Sequence, residues 1–290
     1  MSTPYPVAQQ LVSGRSFWRA NKWLVLRRIS QVSVLLLFLA GPWFGIWIVK
    51  GNLNYSLTLD VLPLADPYIL LQSLLAGHTP ELTMFLAAAI VLVFYLFVGG
   101  RVYCAWVCPV NLVTDAASVI RNRFGLLSGT QFSRRSRYYI LAATLVMAIA
   151  TQTIAWDLVN PVTILHRGII FGMGLGWLAI LAVFFFDLFI SRDGWCGRLC
   201  PVGAFYSVLN VLSPLKVVAA KPQQCDDCAD CYAVCPESKI IHPALRDKTR
   251  AQAINSALCT KCGRCIDTCP QDVFQLSFYR TGGEPTHENI

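Results

Sequence analysis

Charge is scarce in this chain: Asp, Glu, Lys and Arg make up 14% of 290 residues, the hydrophobic share is 55%, and the mean hydropathy is +0.52. Soluble domains carry about 25% charged residues, so a wholly water-facing fold is excluded. Histidine is almost as rare, with 4 in all; His242 and His287 come late, His78 and His166 lie between apolar runs, and none falls inside one. A haem held by two histidines between membrane spans is thereby excluded, and without a C-x-x-C-H motif so is attached c-type haem. No haem is expected. Acidic residues are outnumbered 16 to 24, giving a net charge of +8. Such a balance can serve nucleic acid, anionic lipid or membrane topology. The basic residues sit in loops beside apolar runs, so topology accounts for them and no nucleic-acid partner is expected.

Four apolar runs are present, Ile29 to Val49, Leu82 to Gly99, Tyr138 to Trp156 and Gly172 to Ile190, each within the roughly 17–25 residues a membrane helix needs. The first exceeds the h-region of a signal peptide and lacks a small-residue cleavage site, so it reads as an uncleaved anchor. Arg15, Arg19, Lys22, Arg27 and Arg28 precede the first run, and Arg101, Arg121, Arg123, Arg134, Arg135 and Arg137 fill the middle loop. The other two loops offer only Lys50 and Arg167, beside Asp60, Asp66, Glu81 and Asp157. Basic loops stay in the cytoplasm, which predicts a multi-pass protein with both termini cytoplasmic.

The two halves read as a repeat. Cys104-Ala-Trp-Val-Cys108-Pro109 follows the second run and Cys196-Gly-Arg-Leu-Cys200-Pro201 follows the fourth; Asp66-Pro67 in the first outer loop matches Asn160-Pro161 in the second. Each of the latter reads as an N-cap with proline at the first helical position. Two halves running in the same direction are related by an axis along the membrane normal, which gathers Cys104, Cys108, Cys196 and Cys200 at one membrane face. The two thiols of a motif are neighbours if the backbone is helical, a condition that the proline opposes. They are candidates for a redox-active thiol pair, for ligands of a metal or cluster, or for a docking site; inert thiols in membrane-exit turns are the plain alternative.

The last third carries Cys225-x-x-Cys228-x-x-Cys231-x-x-x-Cys235-Pro236 and Cys259-x-x-Cys262-x-x-Cys265-x-x-x-Cys269-Pro270. This is the bacterial two-cluster ferredoxin spacing, in which the fourth cysteine of each run reaches the other cluster. The expected ligands are Cys225, Cys228, Cys231 and Cys269 for one [4Fe–4S] cluster, and Cys259, Cys262, Cys265 and Cys235 for the second. Structural zinc also uses C-x-x-C pairs but needs neither the third cysteine nor the crossing one. Between the runs, Arg246, Lys248 and Arg250 read as a solvated basic face, open to an acidic redox partner or to membrane lipid.

His78, His166, Trp156 and Asp157 are candidates for a quinol pocket with proton acceptors, against a reading as headgroup-level loop residues. Asp187 stands inside the fourth run, where acids are usually functional, although pairing with Arg192 would also explain it. Trp43, Trp47, Trp106, Trp177 and Trp195 read as an aromatic belt. The expected fold class is an α-helical membrane protein, a four-span bundle of two parallel repeats with a cytoplasmic α+β ferredoxin-like domain. The expected segments are a basic arm over 1–28, the bundle over 29–211, a linker over 212–221, the ferredoxin-like domain over 222–280 and a polar tail over 281–290.

These motifs resemble the NapH family, the ferredoxin-type membrane quinol dehydrogenase components of periplasmic nitrate reductase systems, over nearly the whole chain. The resemblance implies location in the bacterial inner membrane, with quinol as substrate. It also implies electron delivery towards periplasmic nitrate reductase through a periplasmic iron–sulfur protein and a membrane-anchored multihaem cytochrome. The same core is similar to ferredoxin proteins of nitrous oxide respiration, of methylamine oxidation and of cbb3 oxidase assembly. The flavin domain expected of the first and the C-terminal β-domain expected of the last have no room here. A maturation or metal-reducing factor, or a redox sensor working through the four interface thiols, are the readings of a different class.

Overall fold

The computed structural model describes residues 17–125, 132–172 and 174–278; Arg15 with the rest of residues 1–16, and the polar tail over 281–290, lie outside them. Helix α1 (Phe17–Phe44) begins well before the expected start at Ile29 and kinks at Asn21. The basic stretch stays helical because it is neutralised from outside: Arg27 and Arg28 both reach Asp115, at 3.1 and 2.5 Å. The helix stops at Phe44, where Gly45 at φ +71° donates its N–H to the Gly41 carbonyl at 2.9 Å. Val49, expected at the end of the first span, belongs instead to a strand.

That strand opens an antiparallel sheet, β1 (Val49–Gly51), β2 (Tyr55–Thr58) and β3 (Leu62–Ala65), in the order β1-β2-β3. No sequence signal announces it. Its strands are of four residues or fewer, and its tight turn places Leu59 and Asp60 at φ +52° and +58°, where glycine or asparagine is usual.

The N-cap expectation holds at both outer helices, α2 (Pro67–Leu75) and a later helix over Pro161–Phe171. Asp66 accepts from the Tyr68 N–H and Asn160 from the Val162 N–H, with nearly the same cap dihedrals. Between them run α3 (Leu82–Val98), α4 (Val110–Arg123), α5 (Ser136–Thr151) and α6 (Ala155–Val159); Pro161–Phe171 is α7, followed by α8 (Gly176–Phe185) and α9 (Pro201–Leu212). Helix α5 ends short of the expected Trp156 because Gln152 turns left-handed. By length and composition Ala20–Phe44 can cross a membrane, while α3, α5 and α8 with its π-helical continuation are shorter apolar helices.

The two C-x-x-x-C-P segments share one unusual backbone. Tyr103–Val107 and Trp195–Leu199 are single π-helical turns, closed by the N–H of the second cysteine donating to the residue five earlier: Cys108 to Tyr103 at 3.0 Å and Cys200 to Trp195 at 2.9 Å. Both second cysteines are extended, with ψ of 119° and 115°, as the following prolines demand. A regular helical i, i+4 pairing of the thiols is therefore not formed.

The C-terminal part is a second small core. Strands β4 (Leu215–Ala219), β5 (Gln252–Ala253) and β6 (Phe274–Phe278) form an antiparallel sheet in the order β5-β4-β6, against α10 (Asp230–Val234), α11 (His242–Leu245) and α12 (Arg264–Thr268). Residues 212–221, expected as a linker, thus contain the central strand. Val217, Val218 and Ala219 are all buried, which no solvated connector would be.

A row of thiol-lined cavities

The two ferredoxin-type loops have matching backbones. In each, the residues before and after the middle cysteine are left-handed: Asp227 and Ala229 around Cys228 at φ +57° and +65°, and Lys261 and Gly263 around Cys262 at φ +50° and +75°. Such turns aim successive N–H groups inward, a cradle for an anionic group.

Each loop walls a cavity. Cys225, Cys228, Cys231 and Cys269 line one, beside Asp226 and Asp227. Cys235, Cys259, Cys262 and Cys265 line the other. Each set combines three thiols of one run with the fourth of the other. Among the described residues no three of His, Cys, Asp and Glu converge on one metal ion. The thiols instead surround a volume, an arrangement for a multi-iron cluster with a sulfur at its corners rather than for a single tetrahedral ion. Burial pushes Cys231 and Cys235 up to about 12 and Cys259 to about 11, so these sulfurs become thiolates only when iron compensates their charge. The donors fit iron–sulfur clusters.

A third cavity lies among the apolar helices, walled by Cys104, Cys108, Cys196 and Cys200 with Asp66, Trp156 and Asn160. Cys104 and Cys196 line this cavity and also the one of Cys235, Cys259, Cys262 and Cys265. The caps of α2 and α7 therefore reach inward from one side to meet the cysteine turns from the other, so neither outer helix is a surface feature only. Burial pushes Cys200 up to about 12 and raises Cys108 further.

The C-terminal core is fastened against these helices. Lys261 donates to the Val98 carbonyl at 2.9 Å and to Ser213 Oγ at 2.8 Å, and Asn210 donates to the Cys259 carbonyl at 3.0 Å. Arg101 donates to the Leu258 carbonyl at 2.8 Å, and Trp106 Nε1 to the Lys261 carbonyl at 3.1 Å. Trp106 is thus a fastener and Trp195 a cavity wall; of the expected aromatic belt, Trp43, Trp47 and Trp177 remain exposed.

The residues expected to form a quinol pocket do not converge. His78 is exposed beyond α2. His166 is buried with its ring edge-on to Phe38, centroids 5.5 Å apart. Trp156 lines the third cavity, while Asp157 accepts from Asn54 and from Thr163 at 2.9 Å. Asp187 is buried and accepts the Trp195 N–H at 2.9 Å, and its helix is tied to Arg121 through the Asp187 and Leu188 carbonyls; Arg192 instead pairs with Asp193. Sequence reasoning missed Asp66, which it took for a cap alone, and Asp115. A lone acid among the aromatic and cysteine residues of an apolar chain was the available signal.

Two family models match. A 4Fe-4S binding domain matches twice, over residues 81–126 and 169–217, and a 4Fe-4S dicluster domain matches residues 217–270. The chain is 42% identical to the ferredoxin-type protein NapH of Escherichia coli, covering 93% of this chain and 94% of that one. It is 44% identical to NapH of Haemophilus influenzae, over 90% and 91%. It is also 47% identical to the methylamine utilization ferredoxin-type protein MauN of Methylorubrum extorquens, over 92% of each. No solved structure matches.

Proposed function

The chain belongs to the NapH/MauN family of ferredoxin-type electron-transport proteins, and from that premise we propose that it moves electrons between quinol and two [4Fe–4S] clusters. The observation that carries this reading is the sharing of Cys104 and Cys196 between the cavity inside the helices and the cavity of the second four-cysteine set. It makes a continuous route from the apolar part to the ferredoxin-type part. Each bound cluster supplies a one-electron acceptor. Cys225, Cys228, Cys231 and Cys269 hold the first, Cys235, Cys259, Cys262 and Cys265 the second, and the four interface thiols bridge the second to the helices.

In this reading α1, α3, α5 and α8 cross the bacterial inner membrane as two parallel repeats, with both termini cytoplasmic. The double match of one family model to 81–126 and 169–217 supports the repeat, as do the equal backbones of the two cysteine turns. Outward apolar residues such as Leu82, Phe97, Tyr139 and Phe171 support a lipid setting. The resemblance to NapH supports one pathway: electrons pass towards a periplasmic nitrate reductase, through a periplasmic iron–sulfur protein and a membrane-anchored multihaem cytochrome.

The 47% identity to MauN favours one second reading, electron supply to a methylamine-oxidising system or to its maturation. Anaerobic purification with iron and sulfide analysis, followed by electron paramagnetic resonance during quinol addition, tests the first reading. Cluster signals that appear with quinol support it, while reduction only by a strong low-potential reductant overturns it. Deleting the chain and comparing growth on nitrate and on methylamine separates the pathways.

A further inference from the structure

Between α1, α3 and the outer sheet lies a cavity of about 300 Å³, at the lower end of the range for ligand pockets. Most of its wall is apolar, with Leu37 and Phe38 from α1 and Val91 from α3; its inner end is formed by Asp66, Tyr103 and Tyr206. Tyr103 and Tyr206 stack with centroids 5.1 Å apart. Among the described residues no lysine or arginine lines it. Leu37 is 39% exposed, so the apolar side opens onto the surface that the proposed function sets in lipid.

Asp66 is the unexpected group here. As a cap it needs only one oxygen, and its counterpart in the other half, Asn160, caps α7 in the same way with an amide. Asparagine and aspartate cap about equally well, whereas burying a carboxylate costs more than burying an amide. The acid is therefore surplus to the fold. Both hydrogen bonds of the Asp66 side chain fall on Oδ1, from the Tyr68 N–H at 2.9 Å and the Tyr206 hydroxyl at 3.1 Å. Oδ2 has none. Asp66 and Tyr103 also line the thiol cavity with Cys104 and Cys108, so a molecule at this end lies one side chain away from the electron route.

The geometry points to this cavity as the site of the quinol head group, with Asp66 Oδ2 taking the proton of one ring hydroxyl and the isoprenoid chain leaving past Leu37. The inference rests on the quinol reading above. In the balanced step the quinol breaks two O–H bonds and becomes quinone. It passes one electron to each of two oxidised [4Fe–4S] clusters, one proton to Asp66 and the second to water. Tyr206 holds Asp66 in place, and Asn160 in the other half has no such acceptor, so one quinol site per chain follows from the asymmetry of the two caps.

The test uses the full-length protein in phospholipid nanodiscs without native quinone. A photoreactive quinone should label the cavity wall, at Phe38, Val91 or Tyr206, and excess quinone should remove the label. Asp66→Asn should retain labelling, iron content and reduction by dithionite, while quinol-driven cluster reduction falls about a hundredfold, as for loss of a proton acceptor. Val91→Trp, which fills the cavity without touching Asp66, should abolish both labelling and quinol-driven reduction. Labelling elsewhere while quinol still reduces the wild-type clusters would overturn the site and leave the function standing. Labelling by a photoreactive phospholipid that quinone does not displace would assign the cavity to lipid and also overturn the site. Failure of quinol to reduce the wild-type clusters, with the cavity labelled, would overturn the function instead.

Discussion

Asp115 on α4 pairs with Arg264 on α12, joining the apolar helices to the ferredoxin-type part through a contact in which Asp115 is buried and Arg264 largely so. Arg27 and Arg28 bind the same carboxylate from α1, so one acid holds three segments that lie far apart in the chain. Burial opposes its ionisation, but Arg264, Arg27 and Arg28 outweigh burial and hold Asp115 below the usual carboxylate range. Asp115→Ala leaves the buried Arg27 and the largely buried Arg264 without their carboxylate, a loss of about 3–5 kcal/mol. Its thermal midpoint in detergent should fall and trypsin should release the C-terminal part. Because the folded pKa is depressed, the contribution of Asp115 is complete above the ordinary carboxylate range. It is lost as pH falls through the folded value, so wild type and variant should converge in acid.

The crossing of ligands makes an asymmetric prediction. Cys235→Ser, in the first run, should remove the cluster of the second run, and Cys269→Ser the cluster of the first. Loss of about four irons per chain in each variant, with different resonance signals surviving, would match; loss of the cluster belonging to the substituted run would refute the crossing.

The second cluster should be reduced first. Its cavity is lined by Arg27, Arg101, Arg192, Arg198, Lys261 and Arg264 against Asp115, Asp193 and Glu237, whereas the first is lined by Asp226 and Asp227, the latter paired with Lys248. Reduction adds negative charge, so cations favour it and acids oppose it. A redox titration should resolve two midpoints, and Asp226→Asn should raise only the lower one.

Quinol-driven reduction should speed up as pH rises. Burial pushes Asp66 up to about 6, against the hydrogen bonds from Tyr68 and Tyr206 that favour its anion. Below that pH the carboxyl is already protonated and accepts nothing; above it the acceptor is free. The groups facing it are Tyr68, Tyr95, Tyr103 and Tyr206, with the thiols Cys104, Cys108, Cys196 and Cys200 across the neighbouring cavity. Burial raises Tyr68, Tyr103 and Tyr206 above the usual phenol range, so an inflection near 6 belongs to Asp66 and should vanish in Asp66→Asn.

Asp187 should prove to be a fastener for the second cysteine turn. Its Oδ1 accepts the Trp195 N–H, and asparagine offers the same acceptor. Asp187→Asn should keep quinol-driven reduction, while Asp187→Ala should lose about 1 kcal/mol of stability, as a cap does. A strong loss of electron flow in the asparagine variant with unchanged thermal midpoint would restore a proton-carrying role.

The local grammar of this chain was legible: the cysteine runs, the apolar stretches, and the capped prolines at Pro67 and Pro161 follow from spacing and side-chain chemistry. Contacts between distant positions were not. Asp66 meets Tyr206 across 140 residues and Arg264 meets Asp115 across 149, and nothing local marks either pair. For the same reason residues 212–221 read as a linker, since the strand there is defined by partners at Gln252 and Phe274. The gathering of His78, His166, Trp156 and Asp157 failed because shared location in or near the outer loops does not fix direction.

Gly263 sits at φ +75° with the Trp23 side chain where a Cβ would be. The loop carrying Cys262 is therefore packed directly against the Trp23 side chain in the first turns of α1. A ferredoxin on a flexible tether meets its donor by collision, and its turnover varies with viscosity and tether length. Here the gap that an electron must cross is set by covalent and packed structure. Transfer across this junction should be insensitive to solvent viscosity, and soluble ferredoxin added in excess should neither compete with it nor replace it.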